Sequence, residues 1–148
     1  MDVSLITYLG DQRLPRGMRN NNPGNIYITK KAYLGKIPIS KRKDRQFEQF
    51  EKYWHGVYNL TSILHFYYFD KKANTIEKLV NKFARPGQLL KPITQSITKA
   101  TGIRPRKEIH FTRENIYLIV CELTRYENNR NTLITPDLFA YVWLKLFP

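Results

Sequence analysis

The stretch Asn115-Ile116-Tyr117-Leu118-Ile119-Val120-Cys121-Glu122-Leu123-Thr124-Arg125-Tyr126-Glu127 decides how the fold is read. Ile116, Ile119, Val120 and Leu123 recur at the spacing of one helical face, and the next position on that face is Glu127. At about 100° per residue, Glu114 and Glu122 point away from the stripe, so Glu127 alone among these acids continues the inner face. A carboxylate therefore closes an apolar stripe, and the polar run Asn128-Asn129-Arg130-Asn131 after it would line a surface opening.

Working outward, the remaining helices carry their own punctuation. Thr135-Pro136-Asp137 supplies a cap, a first-turn proline and an acid facing the helix dipole, which predicts a last helix ending near Leu146. Upstream, Pro92 to Thr101 reads as a short helix stopped by Gly102. Asn74 followed by Glu77 forms a capping-box-like start, with Ile76, Leu79, Val80 and Phe83 as the apolar stripe and Pro86-Gly87 as the stop. Val57, Leu60, Leu64 and Tyr67 predict a helix from about Tyr53 to Phe69. Gly10 to Asn25, rich in Gly, Pro and Asn, is a structured loop. The β-favouring runs 26–29, 33–39 and 45–50 predict a small antiparallel sheet or hairpin. The expected fold is mainly α with that small sheet, in one domain over 1–148: an N-terminal segment 1–14, an Asn-rich turn and sheet 15–53, and a helical part 54–148.

Composition narrows the chemistry. At 148 residues with 42% hydrophobic side chains, the chain can bury a core without disulfides or metal. Cys121 is the single cysteine, which excludes a disulfide framework or a cysteine-built zinc site and points to a reducing compartment. The opening residues lack a basic start and a long apolar run, so neither a signal peptide nor a membrane span is expected. The 25 Lys+Arg against 12 Asp+Glu leave a net charge of +13, which concentrates polyanions: nucleic acid, anionic lipid or a carboxylate-bearing cell wall. The densest basic runs, 41–45 and 104–107, sit beside turn signals and read as solvated loops.

Two features could carry catalysis. Partial burial at an apolar helix end disfavours a charged carboxylate, so Glu127 could act as a proton donor to a leaving oxygen; a solvated helix end or an ion pair is the other reading. In Arg19-Asn20-Asn21-Asn22-Pro23-Gly24-Asn25-Ile26, the amides could read sugar hydroxyl and acetamido groups or bond among themselves as turns. His55, His65 and His110 are scattered, without metal-ligand spacing, and no phosphate loop or nucleophile elbow is present. Neither metal nor cofactor is expected. The aromatics of 53–54 and 66–69, at helical spacing, read as core.

Pro15-Arg16-Gly17-Met18-Arg19-Asn20-Asn21-Asn22-Pro23-Gly24-Asn25-Ile26 resembles the "RGxRNNNPGNI" signature of small phage and prophage virion proteins, often labelled structural proteins and identified with lysozyme-like peptidoglycan-degrading enzymes. Weaker similarities follow in the family's order: Phe47-x-x-Phe50 and Gly56 through Leu60 and Leu64, Thr75 to Pro86, Ser96 to Ile103, and Tyr126-Glu127-Asn128. More distantly, the Asn-rich turn, the expected sheet and Phe47 to Tyr53 resemble glucosaminidases and lytic transglycosylases of the lysozyme superfamily. Those enzymes carry a catalytic Glu at the end of a first helix, ahead of the turn. No Glu precedes the turn here, and the late helix ending at Glu127 resembles the missing one.

The resemblance implies a circularly permuted lysozyme-like fold, with the Glu127 helix packed beside the Asn20–Asn25 turn. It implies a peptidoglycan lytic transglycosylase or muramidase-like glycosidase acting on the β-1,4 glycan, with Glu127 as general acid and Glu51 or Glu48 as a second acid. Asn20, Asn21, Asn22, Asn25, Tyr126 and Asn128 would contact substrate. It also implies a protein made in the host cytoplasm and carried in a phage virion, with glycan strands and other virion proteins as partners and weak polyanion binding. The rival from another class is a non-catalytic basic virion structural protein that binds nucleic acid or membrane. A second is a helix-turn-helix over Asn74 to Thr101 offering Gln95, Thr98 and Lys99, although Pro86-Gly87 and Pro92 make its connection longer than the usual tight turn.

Overall fold

The computed structural model describes residues 2–148 and is mainly helical. Six α-helices run in order: α1 Arg16–Arg19, α2 Tyr53–Phe69, α3 Ile76–Phe83, α4 Leu90–Thr101, α5 Arg113–Glu127 and α6 Pro136–Leu146. Single 3-10 turns occupy Val3–Leu5 and Ile39–Lys41. Two compact units divide the chain: residues 1–60 with 124–148, and residues 61–123.

The first unit is assembled from both ends of the sequence. Its core includes Met18, Phe47, Phe50, Tyr53 and Val57 together with Leu138, Phe139 and Val142 of α6. The Val3–Leu5 turn, capped by the Asp2 carboxylate on Ser4 N–H at 2.9 Å, packs against α6. Trp54 at the start of α2 meets Tyr141 of α6 edge to face at 5.3 Å. Thr135 caps α6 by accepting from Leu138 N–H at 3.2 Å, with Pro136 in the first turn, as its sequence predicts.

The expected small antiparallel sheet does not form among the described residues. The β-favouring runs make only isolated antiparallel bridges, Tyr27 with Phe47 and Lys36 with Phe50. Two backbone bonds hold each bridge: Ile28 N–H to Gln46 O and Glu48 N–H to Ile26 O at the first, Ile37 N–H to Gln49 O and Glu51 N–H to Gly35 O at the second. Side chains take the groups that would extend the first: Asn22 Oδ1 accepts Ile26 N–H (2.9 Å), and Asn22 Nδ2 donates to Glu48 O (2.9 Å) as well as to Ile26 O (3.0 Å). Glu48 Oε2 accepts Thr29 N–H at 3.3 Å, and Phe50 N–H goes to Asn20 O at 3.0 Å. Gly35, left-handed at φ 72, and Pro38, which lacks a donor, interrupt the central run. The basic run 41–45 is also not uniformly solvated, because Arg42 is buried against the Glu48 carboxylate.

The second unit is a helical core in which α3 packs on α4. Ile76, Leu79, Val80, Ile93 and Ile97 are buried, as are Ile116, Ile119, Val120 and Leu123 of the α5 stripe. The cap of α3 is Thr75 rather than Asn74: Thr75 Oγ1 accepts Lys78 N–H at 3.2 Å, while the Asn74 carbonyl accepts Ile109 N–H at 2.8 Å. Glu122 also departs from expectation. It is buried rather than turned outward, because it lies on the flank of the apolar stripe where Ser96 Oγ of α4 donates to Glu122 Oε1, whereas Glu114 and Leu118 on the opposite face are exposed. Glu114 is exposed, as its position predicts.

Candidate functional site

The Asn-rich turn and the end of α5 meet. Asn25, held left-handed at φ 49, donates from Nδ2 to Glu127 Oε2 at 3.0 Å, with a longer approach of 3.5 Å to Glu127 O. One residue further, Asn128 Nδ2 donates to Pro23 O at 2.8 Å and to Thr124 O at 2.7 Å. Asn129 and Arg130 are both left-handed and stop α5, and Arg130 N–H returns to Arg125 O at 2.8 Å. The Arg130 guanidinium lies over the Tyr126 ring at 5.9 Å. Glu127 and Tyr126 are half-buried.

The other amides of the turn face inward. Asn20 donates to Asp44 Oδ2 (2.8 Å) and accepts from Gln49 Nε2 (2.8 Å). Asn21, at φ 52, accepts Tyr8 N–H (2.9 Å) and donates to Thr7 Oγ1 (2.8 Å) and Phe50 O (3.0 Å). Asn22 spends its amide on Ile26 and Glu48 backbone. Asn20, Asn21, Asn22 and Asn128 are buried and bonded to the chain itself, so the structure turns these expected substrate contacts into scaffold. Of the turn's four amides, Asn25 reaches the candidate acid.

The two candidate second acids sit in opposite environments. Glu48 is fully buried, with Oε1 paired to Arg42 and Oε2 2.9 Å from Lys36 Nζ. It is the shared counter-ion of a buried Arg42 and a half-buried Lys36. Glu51 is exposed just ahead of α2, near His55, whose imidazole is held below its ordinary range first by burial. A third carboxylate, Asp44, anchors the turn: Arg16 grips it with Nε and Nη2, each at 2.7 Å. That guanidinium, helped by Phe47 N–H, Gln46 N–H and Asn20 Nδ2, holds Asp44 far below the usual carboxylate range.

Two residues were missed by the sequence reading. Gly17 in α1 lies under the turn, and a Cβ there would fall 2.5 Å from Asn128 Oδ1, 2.9 Å from Asn22 O and 3.0 Å from Asn25 Oδ1. Asn25 Oδ1 and Asn128 Oδ1 are buried without a hydrogen-bond partner, and both crowd the bare face of this glycine. Tyr27 stacks on Phe47 at 5.3 Å with part of its ring exposed, while Arg16 lies over that Phe47 at 4.5 Å. Gly17 gave no signal, because 10–25 reads as a loop and the short helix α1 departs from that reading; Tyr27 gave no signal beyond being aromatic.

Among the described residues no group of His, Cys, Asp and Glu could hold a metal ion, and no helix is long and apolar enough to cross a membrane. Compared with protein-family models and with curated proteins, the chain matches none.

Proposed function

We propose that the protein cleaves the β-1,4 glycan of peptidoglycan on a circularly permuted lysozyme-like scaffold, with Glu127 as the general acid. The observation that carries this reading is the 3.0 Å contact from Asn25 Nδ2 to Glu127 Oε2, which joins segments 102 residues apart in the sequence. Both segments are those in which the chain resembles virion-associated wall-degrading proteins.

The chemistry asks little of the site. Glu127 gives its proton to the glycosidic oxygen as the C1–O bond breaks, and the sugar's own 6-hydroxyl attacks C1. The resulting carboxylate takes the hydroxyl proton, so an anhydro sugar forms without water and Glu127 ends protonated. Asn25 supports this role by donating to one carboxyl oxygen, which fixes the group's orientation. Two-carboxylate hydrolysis needs a second acid. Glu48 is committed to Arg42 and Lys36, which favours the one-carboxylate transglycosylase route; Glu51, being exposed, is the candidate partner for hydrolysis. Tyr27 offers a partly exposed ring for stacking on a sugar. The surplus of cations suits an anionic wall, and delivery within a virion made in the host cytoplasm would bring the protein there.

The second reading is a non-catalytic basic virion protein that binds nucleic acid or membrane. The net charge of +13 and the four amides spent on scaffold favour it. One experiment separates them: soluble fragments released from purified peptidoglycan by wild type and by Glu127→Gln, read by mass spectrometry. The enzyme reading expects anhydro-sugar fragments from wild type and none from the folded variant. Release by neither protein, across several wall types, favours the structural reading, and equal release by both removes Glu127 from the mechanism.

A further inference from the structure

The second unit holds a cavity of about 340 Å³ lined by Gly102, Ile103, Arg104, Lys107, Glu108, His110 and Asn115. Its frame is tied at each turn. Gly102, left-handed at φ 73, closes α4 with its N–H on Thr98 O at 2.8 Å, and Lys107 N–H closes a turn on Arg104 O at 3.1 Å. Glu108 bridges to Thr75, and Ile109 N–H bonds Asn74 O at 2.8 Å. At the start of α5, Thr112 Oγ1 accepts Asn115 N–H at 3.2 Å, while Asn115 Nδ2 donates to His110 O at 3.0 Å. These bonds fix the backbone of the wall, while the Arg104, Lys107 and Glu108 side chains are exposed and become ordered only when a ligand enters.

The charges in this loop are unequally used. Arg106 pairs with Glu77 at 3.4 Å and Arg113 with Glu114 at 3.9 Å. Arg104 and Lys107, the two permanent cations lining the cavity, pair with no carboxylate among the described residues. Two cations without an ion pair line one cavity and can both reach a single anionic group, and Arg favours the flat, bidentate approach of phosphate oxygens. Glu108 works against a long polyanion, whose neighbouring phosphates would meet its carboxylate. Together with Asn115 it supplies the acceptor and amide that sugar hydroxyls require. The volume lies at the small end of ligand pockets, about 300–1,000 Å³.

We propose that this cavity binds a small phosphorylated sugar, with the phosphate on Arg104 and Lys107 and the hydroxyls on Glu108 and Asn115. This site does not depend on the glycan-cleaving reading. The test titrates the intact chain with ribose 5-phosphate, inorganic phosphate and ribose, following backbone amide signals and heats of binding. Expected is saturable one-site binding of ribose 5-phosphate, about tenfold tighter than inorganic phosphate, since hydroxyl contacts add to the charge-assisted ones. The shifts should centre on Gly102, Ile103, Lys107 and Asn115.

Replacing both cations, Arg104→Gln with Lys107→Gln, should weaken binding at least about tenfold while the melting curve stays in place. Glu108→Gln should bring the affinity for ribose 5-phosphate toward that for inorganic phosphate. Equal affinity for the two anions in wild type overturns the sugar assignment. Shifts spread evenly over Lys41–Arg45 as well, or binding unchanged in the double variant, overturn the site. Displacement of ribose 5-phosphate by a short oligonucleotide at lower concentration would replace it with a nucleic-acid surface.

Discussion

Gly17→Ala tests whether the bare face of α1 sets the geometry of the candidate acid. The new methyl would lie 2.5 Å from Asn128 Oδ1, 2.9 Å from Asn22 O and 3.0 Å from Asn25 Oδ1. Ordinary carbon–oxygen contacts are about 3.3–3.6 Å, so Asn22 O and Asn25 Oδ1 must retreat by several tenths of an ångström and Asn128 Oδ1 by about 1 Å. None can do so alone: Asn22 O is backbone, Asn128 Nδ2 is pinned to Pro23 O and Thr124 O, and Asn25 Nδ2 is pinned to Glu127. Overpacking of this kind costs about 1–3 kcal/mol. Alanine returns about 1 kcal/mol through its helix preference, so the net loss should lie between about 0 and 2 kcal/mol. Gly17 itself has no positive φ, so the penalty is contact, not backbone strain. Urea unfolding should show a lower midpoint with an unchanged slope, and the Asn25 side-chain amide signal should move. A variant as stable as wild type with that signal in place would show that the glycine's missing side chain does not hold Asn25 against Glu127.

Removing the amide that holds the acid, Asn25→Ala, should lower release of soluble wall fragments at least about tenfold and cost about 1–3 kcal/mol of stability, from the lost hydrogen bond and from alanine held left-handed; unchanged release would detach Asn25 from the chemistry. Glu48→Gln leaves Arg42 and Lys36 without their shared carboxylate and should cost about 3–5 kcal/mol in urea unfolding, and a midpoint near wild type would refute the buried ion cluster. Asp44→Asn tests linkage. Because Arg16 holds the folded carboxyl below its unfolded value, the stabilisation is complete above about pH 4 and fades as pH falls toward the depressed value. The melting-temperature gap between Asp44→Asn and wild type should therefore shrink from pH 6 to pH 2, and a constant gap would show that the ion pair contributes nothing.

The helices were the most legible part of the chain because their signals are local. The Thr135-Pro136-Asp137 start predicted α6, and the apolar spacing of α2 predicted Tyr53 to Phe69, the observed span. Where two local signals competed, the choice depended on tertiary partners: Asn74 and Thr75 are both good caps, and the Asn74 carbonyl is drawn to Ile109. Glu122 was misread for a related reason. Its angle on the helix was read correctly, but no local pattern announces that Ser96 of another helix will cover that side. The β-favouring runs do pair, but each pairing stops at one bridge, because β propensity carries no information on side chains such as Asn22 and Glu48 that bond the Ile26 and Thr29 N–H groups and the Glu48 carbonyl. The amides were legible as an unusual cluster but not in their direction, since the same donors and acceptors serve a ligand or the chain's own carbonyls equally well.

The candidate site also bears on how the first unit is held together. Asn25 with Glu127 and Pro23 with Asn128 are contacts across 102 and 105 residues. Closing a loop of that length costs about 4 kcal/mol of chain entropy, while each hydrogen bond returns about 1 kcal/mol net. The site cannot close itself. The difference is supplied by α6, whose Leu138, Phe139 and Val142 are buried in the first unit and contribute roughly 1.5–3 kcal/mol each. The contact between Asn25 and Glu127 is thus a consequence of docking the C-terminal segment, and the geometry of the acid depends on a helix that contributes no residue to the site.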